Sequence, residues 1–121
     1  MSAFEPIGTL DTLPIWPGIL ARRVEGSEMT FAVVELDAHA SAVMHQHANE
    51  QIGLVLRGTM TFTIGNETRE LRAGDTYLIP GNVPHEATAG AEGAVVIDVF
   101  APIRADWQRI TPQPSRTPVW P

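Results

Sequence analysis

The 121-residue chain contains no cysteine and no lysine. Without cysteine there is no disulfide, no thiolate nucleophile and no thiolate metal site. A cysteine-free chain suits the cytoplasm, which is the expected location. Without lysine, Schiff-base chemistry is excluded, as is the Gly-rich phosphate loop that ends in lysine. All eight basic residues are arginine, scattered at 22, 23, 57, 69, 72, 104, 109 and 116. Set against a formal net charge of −6 they form no basic stripe, so no nucleic-acid partner is expected. No G-x-S-x-G nucleophile elbow occurs. No apolar run approaches the roughly 18 residues that span a membrane, so no membrane partner is expected either. The opening MSAFEPIGTL lacks a basic segment followed by an apolar one, and no signal peptide is expected.

What remains is ordinary globular material, 44% apolar and 18% charged, in a length typical of one domain. Its middle reads as strands. Thr59 to Ile64 alternates polar and apolar, the period-2 mark of a half-buried strand. Gly65-Asn66 suits a tight hairpin, and Glu67 to Leu71 is the return strand. Thr76 to Ile79 is another short strand, followed by the turn-rich Pro80 to Pro84. Ala94 to Phe100 is β-branched and reads as a buried strand. Thr30 to Leu36 and Ser41 to His47 lack a helical stripe and are also read as strands. Short strands at this spacing predict an all-β sandwich or barrel.

The flanks differ. Residues 1–18 are Pro-punctuated and read as an irregular arm. Residues 108–121, with prolines at 112, 114, 118 and 121, read as an extended tail outside the core. The expected organisation is thus one domain over 1–121 with a barrel core at about 20–104.

Three of the four histidines fall into one pattern. On a strand, residues i and i+2 share a face, so His45 and His47 can set two imidazoles side by side. Gln51 begins the next strand and can return to the same point. His85 follows a turn and supplies a third imidazole. Such a set suits one divalent ion, with Zn, Ni, Fe and Mn as candidates. Two other roles stay open for this segment. Gln51 can hydrogen-bond a metal-bound water, or Glu50 can ligate after a one-residue slip. The slip is disfavoured because it turns the side chain to the other face. With an amide in place of a carboxylate, three neutral imidazoles leave the ion's charge uncompensated, which favours anionic ligands.

Asp98 is the other anomaly, a carboxylate inside AVVIDVF. If Val96, Asp98 and Phe100 face the barrel interior, Asp98 points into the metal cavity and can serve as a general acid or base. Arg104 can then clamp a substrate carboxylate. The competing role is an Asp98–Arg104 ion pair, or a salt bridge at the barrel rim. Tyr77, the only tyrosine, can face the cavity and donate to substrate, or pack with its hydroxyl at the rim.

His45-x-His47-x3-Gln51-x6-Gly58 resembles the first cupin motif, with Gln for the usual Glu. Gly74-x5-Pro80-x4-His85 resembles the second. The likeness spans 39–89 in its motifs and about 20–104 in its strands. His39 and Asn82 stand where the motifs have Gly, and Ala89 where the second has Asn. Asn at 82 tolerates a left-handed backbone. The resemblance implies a double-stranded β-helix, or jelly-roll, barrel with a metal in one mouth. With Asp98-x-Phe100-x3-Arg104, the chain is similar to the cupins of pectin and alginate catabolism that linearise unsaturated uronates. That subgroup implies a small anionic sugar as substrate, Asp98 as acid/base and Arg104 near the carboxylate. An Fe- or Mn-dependent dioxygenase and a non-catalytic binding barrel are the alternatives. Ile52, Leu54 and Leu56 form an apolar second face that needs a cover. Residues 1–18 or a second subunit can supply it, and a homodimer is expected.

Overall fold

The computed structural model describes residues 2–121. Eight strands are present: β1 (Leu13–Trp16), β2 (Ile19–Glu25), β3 (Thr30–Leu36), β4 (Ser41–His45), β5 (Glu50–Ile64), β6 (Glu67–Arg72), β7 (Thr76–Ile79) and β8 (His85–Ala101). Two short 3₁₀ helices flank them, Ile7–Thr9 and Ala105–Arg109. All pairings are antiparallel, in the order β1-β2-β3-β8-β5-β6, with β4 also on β8 and β7 also on β5. The fold is the all-β barrel that the sequence motifs imply. Among the described residues no helix is long and apolar enough to cross a membrane.

Two long strands organise the barrel. β5 pairs with β6, β7 and β8, and β8 pairs with β3, β4 and β5. Their shared register shifts around Gly58, which has φ 78°. A Cβ there would lie 2.1 Å from the Gly93 carbonyl oxygen, so the close backbone approach needs glycine. The two motif positions that depart from Gly, His39 and Asn82, both have positive φ, 61° and 63°. The motif's glycines therefore mark left-handed turns. Here those turns are carried by residues that pay a modest steric penalty.

Alternation sets two faces. Ala32, Val34, Val55, Val96 and Phe100 point inward and are buried. Asp98, between Val96 and Phe100, is buried on that same face. On the outer face a cross-strand row runs Val24, Phe31, Val99, Ile52, Leu78, each registered on the next. Val24, Ile52 and Leu78 are 55%, 52% and 54% exposed. The N-terminal arm does not cover this row.

The flanks hold more structure than their prolines suggest. Residues 13–16 form β1 and extend the sheet below residue 20. Pro14 fits because β1 is an edge strand, where a missing N–H costs no ladder bond. In the other direction, β4 stops at His45, so His47 lies in the loop before β5. The tail is extended, as expected, but docked. Thr12 and Gln113 exchange backbone hydrogen bonds of 3.0 and 2.8 Å. Further along, the Val119 N–H donates to Glu35 at 2.8 Å, and Arg22 donates to the Arg116 carbonyl at 3.1 Å. Arg22 and Glu35 form an ion pair, both buried. The tail thus caps a buried charge pair on the outer face of β2 and β3.

Candidate metal centre

The three imidazoles of His45, His47 and His85 converge from three places in the chain. His45 ends β4, His47 sits in the following loop, and His85 begins β8. One ligand nitrogen from each lies within 4.8 Å of the others. Each ring is held by its own backbone neighbourhood. The Nδ1 atoms lie 2.6, 3.0 and 2.8 Å from the carbonyl oxygens of Val43, Asn49 and Val83. A carbonyl can only accept, so each Nδ1 carries the proton and each Nε2 presents a lone pair. The Nε2 of His85 is buried and has no partner among the described residues. An orphaned buried acceptor within reach of two other imidazole nitrogens fits a cation ligand.

Electrostatics keep His47 and His85 in their ligand form. Burial, followed by weaker repulsion from His45, His47 and Arg104, outweighs the Val83 hydrogen bond and pushes the His85 pKa down to about 4. Burial and then Arg104 also lower that of His47. Neutral imidazole is the species that binds metal.

Gln51 faces the triad and Asp98 at once. Its Nε2 donates to Asp98 Oδ1 at 2.9 Å, which turns its Oε1 toward His47 Nε2 at 3.1 Å. With His47 protonated on Nδ1, two lone pairs face each other across that gap. A cation placed against both removes the repulsion. The donor set of three neutral imidazoles and one amide oxygen fits a divalent ion of the borderline type. The same geometry explains why glutamine stands here. A glutamate would set its second carboxylate oxygen against Asp98, and two carboxylates at that distance cannot both ionise.

Asp98 occupies the cavity wall next to this set. The Tyr77 hydroxyl donates to Asp98 Oδ1 at 2.6 Å, so both donors converge on one oxygen. No hydrogen bond reaches Oδ2 among the described residues, and that oxygen is free for a ligand. Burial raises the Asp98 pKa, opposed by the hydrogen bonds from Tyr77 and Gln51 and by Arg104. Burial, and then Asp98, raise the Tyr77 pKa well above its usual value, so the phenol remains a donor. Tyr77 therefore does not sit with its hydroxyl at the rim.

Arg104 does not pair with Asp98. Its Nε and Nη2 are engaged by Asp106 at 3.0 and 2.9 Å. Its guanidinium stacks 4.6 and 4.8 Å from the ring centres of Phe100 and Trp107. Nη1 is left without a protein partner among the described residues. Asp106 holds the Nε–Nη2 edge, so a carboxylate can still meet the outer Nη1–Nη2 edge. His45, Gln51, Tyr77, His85, Asp98 and Arg104 all line one cavity of about 240 Å³.

Two positioning residues were not singled out in the sequence. Asn49 is buried, donates to the carbonyls of Pro102 and Ile103 at 2.6 and 3.0 Å, and offers its own carbonyl to His47. It ties the His47 loop to the loop that carries Arg104. Gly53 lies between Tyr77 and Asp98 in the sheet register. An asparagine in a turn and a glycine in a strand are the signals that were available for these two.

The sequence matches the family model described as a cupin domain over residues 32–100. With the barrel and the histidine arrangement in place, the chain belongs to the cupin family. A curated relative, the pectin degradation protein KdgF of Dickeya dadantii, is 33% identical over 81 residues, covering 66% of this chain and 74% of that protein. The H2HPP isomerase of Bacillus subtilis is 40% identical over 63 residues, half of this chain but 27% of that protein. Among solved structures, KdgF from Halomonas sp. superposes with a TM-score of 0.80 at 30% identity, covering 88% of this chain and 98% of that one. An RmlC-like cupin from Shewanella frigidimarina gives 0.81 at 24% identity, covering 88% and 96%, a likeness of fold.

Proposed function

We propose that this chain is a metal-dependent isomerase that moves a proton on a small carboxylate substrate. The observation that carries the proposal is Asp98 itself. It is a buried carboxylate on the cavity wall beside an imidazole triad, with one oxygen held by two donors and the other without a hydrogen-bond partner among the described residues. His45, His47, His85 and the Oε1 of Gln51 would hold one divalent ion, with Zn, Ni, Fe and Mn as candidates. When bound, that ion supplies Lewis acidity to a substrate oxygen.

The chain's own residues do the rest. The outer edge of Arg104 meets the substrate carboxylate, and Asp106 fixes the guanidinium. Asp98 takes the proton on Oδ2 and returns it elsewhere on the same molecule. Tyr77 and Gln51 hold Oδ1, so the carboxylate does not rotate between the two transfers. An isomerisation conserves atoms and electrons, so no co-reactant is needed. The relative named for pectin degradation and the relative named as an isomerase both support this class of reaction. The relative named for pectin degradation, together with the sequence resemblance to uronate-linearising cupins, makes unsaturated uronates the first substrates to assay.

The test begins with protein purified without an affinity tag or chelator. Near-stoichiometric Zn or Ni is expected, together with substrate-dependent deuterium uptake from D2O followed by NMR. Asp98→Asn is expected to keep the metal and lose the exchange. Stoichiometric iron with oxygen consumption, and no exchange, would replace the isomerase with a dioxygenase.

A further inference from the structure

The polar side chains of the cavity have little hydrogen-bonding capacity to spare. Gln51 donates through Nε2 to Asp98 and turns its Oε1 toward the triad. The Tyr77 hydroxyl and Asp98 Oδ1 are spent on each other. Asp106 holds two of the three nitrogens of Arg104. Apart from indole N–H groups and the triad, the polar groups that face a ligand are Asp98 Oδ2, the Asp106 carboxylate and the outer N–H groups of Arg104 on Nη1 and Nη2.

The remaining wall is hydrocarbon. Ile15, Trp16, Ile19, Val34, Leu36 and Ile110 line the same cavity. Strands β1, β2 and β3 bring no charged or hydroxyl side chain to it. A sugar acid carries several ring hydroxyls beyond its carboxylate. Each one buried against this wall would lose water and find no partner, at about tenfold or more in affinity. A hydrocarbon ring loses nothing there and gains the burial. A cavity of about 150 Å³ holds a benzene ring. The 240 Å³ here holds such a ring with a short acid arm.

Resting on the reading of this site as a carboxylate isomerase, we propose that its preferred substrates are cyclic acids with a hydrocarbon ring, not polyhydroxylated sugar acids. The acid arm meets Arg104, an oxygen substituent lies toward the triad, and the ring packs on Trp16 and the β2–β3 wall. Specificity then comes from desolvation, since the wall penalises hydroxyls without contacting them specifically.

The test is binding to the full chain loaded with zinc, read by calorimetry and by quenching of Trp16 and Trp107. Cyclohex-1-ene-1-carboxylate is compared with a 4,5-unsaturated galacturonate and with the methyl ester of the first. The carbocyclic acid is expected to bind at least tenfold more tightly than the uronate and than its own ester. Val34→Thr keeps the side-chain shape and adds a hydroxyl to the wall, and should narrow the acid-to-uronate ratio. A uronate that binds as tightly as the carbocycle overturns this inference and leaves the carboxylate isomerase standing. An ester that binds as tightly as its acid overturns the carboxylate site, and the isomerase reading with it. Absence of binding by all three ligands overturns both.

Discussion

The ring of Tyr77 lies across the α-carbon of Gly53. A Cβ placed on Gly53 would sit 2.0 Å from Tyr77 Cζ and 2.3 Å from its hydroxyl oxygen. Glycine at 53 is therefore what lets a side chain from β7 reach over β5 to Asp98 on β8. Gly53→Ala should expel the ring and cost about 1–3 kcal/mol of stability. In a Tyr77→Ala background the same substitution should cost far less, because the clash is gone. The cycle is read from urea unfolding, with a coupling of at least about 1 kcal/mol expected. Additive costs would mean that the ring is not held by this crossing.

Gln51→Glu tests the reason for the amide. The introduced carboxylate should tighten divalent-metal binding by adding charge to the donor set, by about tenfold or more in a competition titration with a chromophoric chelator. In the metal-free protein the new carboxylate and Asp98 should share one proton. A carboxyl signal that persists at neutral pH in the infrared spectrum, absent from the wild type, is the expected signature. Unchanged metal affinity would place residue 51 outside the donor set.

The lowered pKa values give a pH dependence with a definite sign. His85 and His47 are harder to protonate folded than unfolded. Below their ordinary value near 6.5 the unfolded chain binds protons that the folded chain refuses. Their contribution is intact above about pH 6.5 and is lost as pH falls toward the His85 value of about 4. Urea midpoints of chelator-treated protein should therefore drop across that window. His85→Gln should flatten part of the drop. A midpoint that stays level from pH 7 to 4.5 would contradict the burial argument.

The outer row of Val24, Phe31, Val99, Ile52 and Leu78 predicts self-association. Five registered apolar residues across five strands make a band that water does not favour. A second copy apposing the same band buries both at once. Light scattering coupled to gel filtration should give a dimer, and Ile52→Asp should give a folded monomer. A wild-type monomer at high micromolar concentration would leave the band without a partner.

Much of this was legible in the sequence, and the rest was hidden for physical reasons. The strands around Thr59–Ile64 and Ala94–Phe100 were readable because their alternation or β-branching is set by the faces they bury. β1 was not, since Pro14 and Pro17 suppress a strand signal that an edge position tolerates. His47 was grouped with His45 by a period of two, yet the strand ends first and the loop places it. The motif positions His39 and Asn82 were seen as departures; a left-handed backbone was foreseen for Asn82, and the backbone angles show that His39 adopts one as well. The partners of Asp98 lay beyond any sequence argument. Tyr77 is 21 residues away, Gln51 is 47 away, and only the β7-β5-β8 order brings them together. Arg104 was placed with Asp98 by proximity of position, while Asp106, two residues on, holds it first.

Each imidazole of the triad is anchored to a carbonyl only two residues from itself. Rotation of the rings is thus governed by local loops and not by whatever they surround. Such a cradle should keep its shape when emptied, so loading and unloading need little rearrangement. Where an ion is bound, its identity should follow what the cell supplies.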